Sequence, residues 1–211
     1  FVSHVEFGGS YRRRKETVGD IDLIVLSSKP NDVMHFFVHM NGVADVLAHG
    51  TTKSAVRLQN GLQVDVRVLQ ENEYGSALQY FTGNKEHNVH LRQLALSKGY
   101  TLSEYGLFTL KGNKWVAGRT EEEIYKKLGV DWMPPELREN TGEIEAGQQH
   151  RLPSLLDYGQ CRGDFQTQTT WSDGADTIET MARAGIKKKW SFITITDHVG
   201  QLAIANALDE K

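Results

Sequence analysis

Apolar and polar positions alternate over residues 1–7, and residues 21–26 (Ile21-Asp22-Leu23-Ile24-Val25-Leu26) are rich in β-branched side chains, so both stretches read as strands. Between them runs Gly9-Ser10-Tyr11-Arg12-Arg13-Arg14-Lys15-Glu16-Thr17-Val18-Gly19, a short basic loop. Pro30 and Asn31 break the chain, and residues 32–40 then carry Val33, Phe36, Phe37 and Met40 at helical spacing behind an Asn/Asp cap. Residues 43–50 and 54–58 read as strands. Asn60-Gly61 is a strong hairpin signal, so residues 62–68 should pair back onto the strand before them. There Val64, Val66 and Val68 alternate with Gln63, Asp65 and Arg67, which puts Asp65 on the polar face of the same sheet.

From Gly75 the pattern turns helical. A short helix over 77–81 stops at Thr82-Gly83. A longer one over 85–98, with Val89, Leu91, Leu94, Ala95 and Leu96, ends at Gly99. Residues 102–110 and 115–117 suggest a small hairpin turning at Gly112-Asn113. Thr120-Glu121-Glu122-Glu123 is a capping box for a helix through Leu128. Pro134-Pro135 marks a boundary, and polar residues 136–162 read as a linker and entry segment. A second unit starts near Gly163: a strand over 164–169, a turn at Asp173-Gly174, a helix over 175–184 and a strand over 190–196. This is one βαβ unit, which implies parallel strands.

Composition narrows the picture little. Of 211 residues, 39% are hydrophobic and 24% charged, as in an ordinary globular protein. The net charge of −3 means that contact with nucleic acid must rest on local patches. One cysteine, Cys161, rules out an internal disulfide and fits a reducing compartment. No apolar run approaches a membrane span. The chain opens on Phe inside a strand, as a piece of a longer protein would.

The chemistry gathers around residues 9–22. Asp20 and Asp22 are two apart on a strand and present their carboxylates together. Two such groups repel and raise one pKa unless a divalent cation sits between them. Mg²⁺ suits that position because it takes hard oxygen ligands and bridges to phosphates. Gly9-Ser10 offers a backbone that a phosphate can approach, and the cations Arg12 to Lys15 supply charge for it. A strand with two edge carboxylates beside a solvated basic turn is the simpler alternative; the third carboxylate, Asp65, favours chemistry.

These residues resemble a known family. Gly9-Ser10, nine intervening residues and Asp20-Ile21-Asp22 fit the nucleotidyltransferase signature, and the fuller wording resembles family X DNA polymerases of the polymerase β type. The match continues through Val64-Asp65-Val66-Arg67, Tyr80-Phe81-Thr82-Gly83-Asn84, Asn88, Arg92 and Pro134-Pro135-Glu136-Leu137-Arg138-Glu139-Asn140. Gly163-Asp164, Ser172-Asp173-Gly174 and Thr196-Asp197-His198 are similar to the first motifs of the polymerase-and-histidinol-phosphatase (PHP) domain that bacterial and archaeal members append.

The resemblance implies an α/β and α+β chain in four parts. These are a nucleotidyltransferase palm with a mixed or antiparallel sheet over 1–74, a small α+β thumb over 75–145, a linker over 146–162 and the βαβ start of a degenerate PHP α/β barrel over 163–211. It implies that Asp20, Asp22 and Asp65 ligate two Mg²⁺ or Mn²⁺ ions. Gly9, Ser10 and Arg13 would hold the β- and γ-phosphates of a dNTP, Tyr80, Phe81 and Gly83 its sugar, and Asn88 its base. Arg92 would meet the template, and Arg67 would orient Asp22 and Asp65. The implied partners are gapped or primer-template DNA, with no membrane, and the implied setting is a monomer in a prokaryotic cytoplasm. In the appended unit Gln166 and Gln168 stand where the family places metal-binding histidines. Asp173 and His198 alone do not make a site, so no nuclease chemistry is expected there. His35 and His39 are spaced like a metal pair but lack a nearby third ligand. His87 and His90 read equally as DNA contacts or as a solvated helix face, Lys187-Lys188-Lys189 as a solubilising turn, and Cys161 as a buried or linker thiol.

Overall fold

The computed structural model describes residues 2–200 and 203–208. Residue 1 of the first expected strand, and residues 201, 202 and 209–211 of the second unit, lie outside them. The chain forms two compact units, residues 1–152 and 153–211.

The first unit begins with a five-stranded mixed sheet. Its strands are β1 (His4–Phe7), β2 (Asp20–Leu26), β3 (Val43–His49), β4 (Lys53–Leu58) and β5 (Gln63–Leu69), in the order β1-β2-β5-β4-β3. Only β2 and β5 run parallel; the other pairs are antiparallel. The β4–β5 hairpin turns at Asn60-Gly61, where Gly61 adopts φ 86° and its N–H reaches the carbonyl of Leu58. Period-2 alternation then decides which face is buried. Val25, Val64, Val66 and Val68 pack on helix α2 (Pro30–Val38) through Val33, Met34, Phe37 and Val38. Pro30 does not break the chain before this helix. It is the first helical residue, where a missing N–H costs nothing, and the cap is Lys29, with no Asn/Asp side-chain bond.

The opposite face is covered over only part of its length. Ile24 and Leu69, at the C-terminal ends of β2 and β5, pack on Ala77 and Leu78 of helix α3 (Tyr74–Thr82). The stretch expected as a basic loop opens with a single helical turn, which we number α1 (Gly9–Arg12), so α3 is the third helix of the chain. Among the described residues, the buried apolar cluster on this face stops short of the N-terminal halves of β2 and β5, which carry the aspartates, and a site can open there.

A second core follows within the same unit. It joins Leu91 and Ala95 of α4 (Lys85–Ser97), Leu102, Leu107 and Ala117 of a three-stranded sheet, Ile124 and Tyr125 of α5 (Glu121–Lys127), and Leu128 at the C-cap of that helix. The sheet is a meander of β6 (Tyr100–Ser103), β7 (Gly106–Thr109) and β8 (Trp115–Ala117), so the single run expected over 102–110 is split by a turn at Glu104 and Tyr105. Thr120 caps α5 as expected, its Oγ1 accepting from the N–H of Glu123. Residues 136–162, expected as a featureless linker, hold a 3₁₀ turn (Pro135–Leu137) that extends into the stretch and the helix α6 (Glu143–Gln148). Ile144 of α6 is buried against Val130 and Met133, and one apolar side chain per turn is too weak a pattern to show this beforehand.

The second unit contains β9 (Gly163–Thr167), α7 (Ile178–Lys187) and β10 (Phe192–Ile195), with β9 and β10 parallel. The helix starts three residues later than its apolar spacing suggests, because Thr177 caps it by accepting from the N–H of Thr180. Cys161 is exposed, not buried. Among the described residues, no helix is long and apolar enough to cross a membrane.

Candidate nucleotidyl-transfer site

Strand register brings the three aspartates to one place. Asp22 and Asp65 are direct partners across β2 and β5, and Asp20 lies two residues from Asp22, opposite Gln63. Register partners share a face, so Asp20, Asp22, Gln63, Asp65 and Arg67 all project from the side that α3 leaves open. Burial, helped by the charges of Asp20 and Asp65 and opposed by Arg67 and Lys53, pushes the Asp22 carboxyl up to about 6. Asp65 accepts from Gln63 Nε2 at 2.8 Å and has Lys53 Nζ 4.0 Å away. The donor chemistry fits a hard divalent cation, because carboxylate oxygens are hard ligands and a cation would relieve the repulsion among them. Among the described residues, though, no three acidic, His or Cys side chains already converge as a cage. Carboxylates that repel hold apart until a cation draws them together. A separate recess of about 680 Å³ lies towards the other end of the same strands, lined by Ser27, Thr52, Arg67, Glu73 and Tyr105 among others; none of the three aspartates lines it.

The raised Asp22 carboxyl yields a pH prediction. Its folded pKa of about 6 exceeds the unfolded 3.8, so the folded state holds the proton more tightly and loses stability as pH rises through that window. Asp22→Asn removes the penalty. It should melt higher than wild type at neutral pH without divalent cation, with the gain gone below about pH 4. Thermal melts across pH check this; a gain independent of pH would mean that Asp22 is not the titrating group.

The basic segment folds against the acids of the second core. Gly9 has φ 59° and lies on Asp22, so that a Cβ there would stand against the Asp22 carboxylate. Ser10, half-buried, is in the same turn. Arg12 binds Glu121 with both Nη atoms at 2.8 and 2.9 Å and also donates to Thr82 Oγ1. Arg13 donates from Nε to Glu139 at 2.8 Å and from Nη1 to the carbonyl of Thr82 at 2.8 Å. Arg14 pairs with Glu136 and Lys15 with Glu139. The simpler alternative of a solvated basic turn does not hold: each cation faces a carboxylate more than a hundred residues away.

The Tyr80-to-Arg92 stretch is a tight helix–turn–helix junction. Asn88 Nδ2 donates to the carbonyls of Tyr80 and Gly83 at 2.6 and 3.1 Å, and its Oδ1 accepts from Gln79. A Cβ on Gly83 would lie 2.6 Å from His87 and 2.8 Å from Asn88, so close approach demands glycine there. Tyr80 and Phe81 meet edge-on at 5.0 Å, with Arg67 4.1 Å over the Phe81 ring and Arg92 5.9 Å over Tyr80.

Residues 77–139, which contain this junction and the second core, match the DNA polymerase beta thumb family. The DNA polymerase/3'-5' exonuclease PolX of Bacillus subtilis (strain 168) is 38% identical over 202 residues, 95% of this chain and 35% of that protein. Over the matched stretches the chain is similar to DNA polymerases of family X. DNA polymerase lambda of Arabidopsis thaliana is 32% identical, with 62% of this chain and 31% of that protein covered. The chain thus spans about a third of the length of these family X relatives. Two solved structures of Leishmania infantum polymerase beta share the fold. The ternary P/T complex has a TM-score of 0.56 at 29% identity, covering 64% of this chain and 67% of that one. The ternary gap complex has 0.57 at 27%, covering 64% and 62%. The mixed palm-like sheet and the thumb match this family X architecture.

In the second unit Asp173 and His198 approach each other, with His198 Nε2 3.7 Å from Asp173 Oδ1. Gln168 Nε2 donates to Thr196, and Asp197 accepts from the Thr169 N–H, Thr169 Oγ1 and Ser172 Oγ. Those bonds from Ser172 and Thr169 hold the half-buried Asp197 carboxyl below its ordinary range. This set ties the loop after β9 to the end of β10.

Several residues gain a role that sequence did not signal. His87 is buried, not on a solvated face: Nδ1 bonds Glu143 at 2.6 Å and Nε2 meets the Tyr125 hydroxyl at 3.2 Å. Burial lowers its pKa despite Glu143, so the neutral ring donates to the carboxylate and accepts from the hydroxyl. His90 reaches Asn140 and Glu145. His35 and His39 are exposed, their rings 4.3 Å apart, and His39 Nδ1 bonds the His35 carbonyl. Glu121, read only as part of a helix cap, is 4% exposed and binds the fully buried Arg138 as well as Arg12. Lys53 and Gln63, at the edge of the carboxylate trio, belong to ordinary strand patterns and carry no local signal.

Proposed function

We propose that this chain carries the catalytic centre of a DNA-directed DNA polymerase, joining a deoxynucleoside monophosphate to a primer 3'-hydroxyl with loss of pyrophosphate. The observation that carries this reading is the register pairing of Asp22 with Asp65, with Asp20 on the same face, beside a glycine-led basic turn. In the proposal Asp20, Asp22 and Asp65 hold two Mg²⁺ or Mn²⁺ ions, which would stabilise the attacking and leaving oxygens of an in-line displacement. Gly9, Ser10 and Arg13 take the β- and γ-phosphates. Tyr80, Phe81 and Gly83 form the wall of the sugar pocket, with Asn88 fixing that wall by bonding the backbone of Tyr80 and Gly83. Arg67 lowers the Asp22 carboxyl and stacks on Phe81, coupling the carboxylates to the nucleotide wall. Arg92 faces the template. Residues 163–211 are read as the start of a PHP-like unit whose Gln166 and Gln168 supply no imidazole, so Asp173 and His198 are left without the partners a metal centre needs.

A primer-extension assay on one-nucleotide-gapped duplex with Mg²⁺ or Mn²⁺ tests the proposal. Incorporation should follow the template base and require the divalent cation. Incorporation that ignores the template would favour a template-independent nucleotidyltransferase, which the Gly-Ser turn and aspartate trio would also serve. Absence of any divalent-dependent nucleotide binding would leave a nucleic-acid-binding module.

A further inference from the structure

We propose that Glu139 is an internal anion that competes with the nucleotide's phosphates for Arg13 and Lys15, and so sets the affinity of the cradle for triphosphates. This inference rests on the polymerase reading above. The Glu139 carboxylate stands where the basic turn meets the Tyr80–Gly83 junction. Its Oε1 accepts from Arg13 Nε at 2.8 Å and lies 3.5 Å from Lys15 Nζ. Its Oε2 accepts from Asn84 Nδ2 at 3.0 Å, and the same amide group donates to the Glu139 carbonyl at 3.1 Å. Arg13 meanwhile spans to the carbonyl of Thr82. One carboxylate therefore collects an arginine, a lysine and an amide from the two segments that the proposed function assigns to phosphates and sugar. That is the donor set a phosphate oxygen would seek.

Two comparisons within the same loop single Glu139 out. Glu121 also binds an arginine of the turn, but it is buried beneath Arg138 and cannot be exchanged without breaking the core. Glu136 binds Arg14 where both side chains are more open to water, and the phosphates are assigned to Arg13, which Glu139 holds, and not to Arg14. Glu139 lies between these cases: 21% exposed, firmly paired and reachable from solvent. Arg13 and Lys15 hold its carboxyl below the usual range against the pull of burial, so it stays anionic wherever a nucleotide is bound. A polyphosphate carries more charge than a carboxylate and can bridge both cations at once, so it displaces Glu139. Each such displacement gives up the ion pairs already made. Part of the binding free energy is thereby offset, and weakly charged anions are kept out of the cradle.

The test uses inorganic tripolyphosphate with the 211-residue chain, followed by calorimetry. Glu139→Gln keeps the shape and an oxygen for Asn84 but removes the charge. It should bind tripolyphosphate about two- to fivefold more tightly than wild type, the range expected for an ion pair between part-exposed groups. Glu136→Gln should bind as wild type does, and Arg13→Ala should bind far more weakly. Deoxyadenosine, which has no phosphate, should not distinguish Glu139→Gln from wild type; a variant altered only in folding would. In the wild-type chain itself, the Arg13 Nε–H resonance should move when tripolyphosphate is added. Arg13-dependent binding that is unchanged or weaker in Glu139→Gln, or an Arg13 resonance that stays still while tripolyphosphate binds, overturns the inference. If wild type binds no tripolyphosphate, or binds it without Arg13, the cradle reading itself is what fails.

Discussion

Glu121→Gln is expected to lower the stability of the first unit by about 3–5 kcal/mol, the usual cost of leaving a buried charge without its partner. Arg138 has no exposed surface at all and makes its charge pairing to Glu121; its side chain also meets the Met133 carbonyl and the rings of Tyr125 and Trp132. Burial works against ionised Glu121, but the charge of Arg138 and the hydrogen bonds from Arg12 and Arg138 pull its carboxyl down to about 2. The neutral amide would leave Arg138 uncompensated and cut the bidentate link from Arg12, which joins the basic turn to α5. Urea unfolding followed by tryptophan fluorescence measures the loss, since Trp132 itself donates to Glu121 at 3.3 Å. A loss below about 1 kcal/mol would mean that Arg138 finds another partner. The pair also sets a pH dependence. A depressed carboxylate contributes stability that is fully present above its unfolded value of 4.5 and is lost as pH falls through about 2. Glu143, pulled down to about 2 against burial by His87 and by backbone N–H groups including those of Thr141 and Asn140, adds to the same acid limb.

Asp65→Ala is expected to reduce nucleotide incorporation on the order of a hundred- to thousandfold, because metal-ion stabilisation of an in-line transfer is worth several kcal/mol. The same substitution should leave the fold intact or slightly firmer. Asp65 is one of the charges that raise the Asp22 carboxyl, so its removal relieves repulsion on that face. Asp22 then ionises more readily, and lost activity cannot be blamed on a protonated neighbour. Primer extension and a melting curve on one preparation separate the two effects. Equal incorporation by wild type and variant would end the three-aspartate mechanism, whereas lost activity with a lowered melting temperature would point to damaged packing.

What could be read directly from the sequence was whatever a few neighbouring residues decide. The alternation of valines with Gln63, Asp65 and Arg67, the Asn60-Gly61 turn and the Thr120 cap each act within one element, so the strands, the hairpin and the helix start follow from local geometry. The aspartate trio was legible for a related reason: period-2 alternation decides the face of every residue once two strands share a sheet. Tertiary structure alone decided the remainder. The parallel pairing of β2 with β5 sets Asp22 opposite Asp65, and the short reach of α3 leaves that end of the face open. It also decided that Arg12, Arg13, Arg14 and Lys15 are partnered cations, that His87 is buried, and that Glu121 and Arg138 form a charged core. An ion pair between residues 109 apart leaves no periodic trace, since its attraction depends on distance and burial in the folded chain and not on spacing along it.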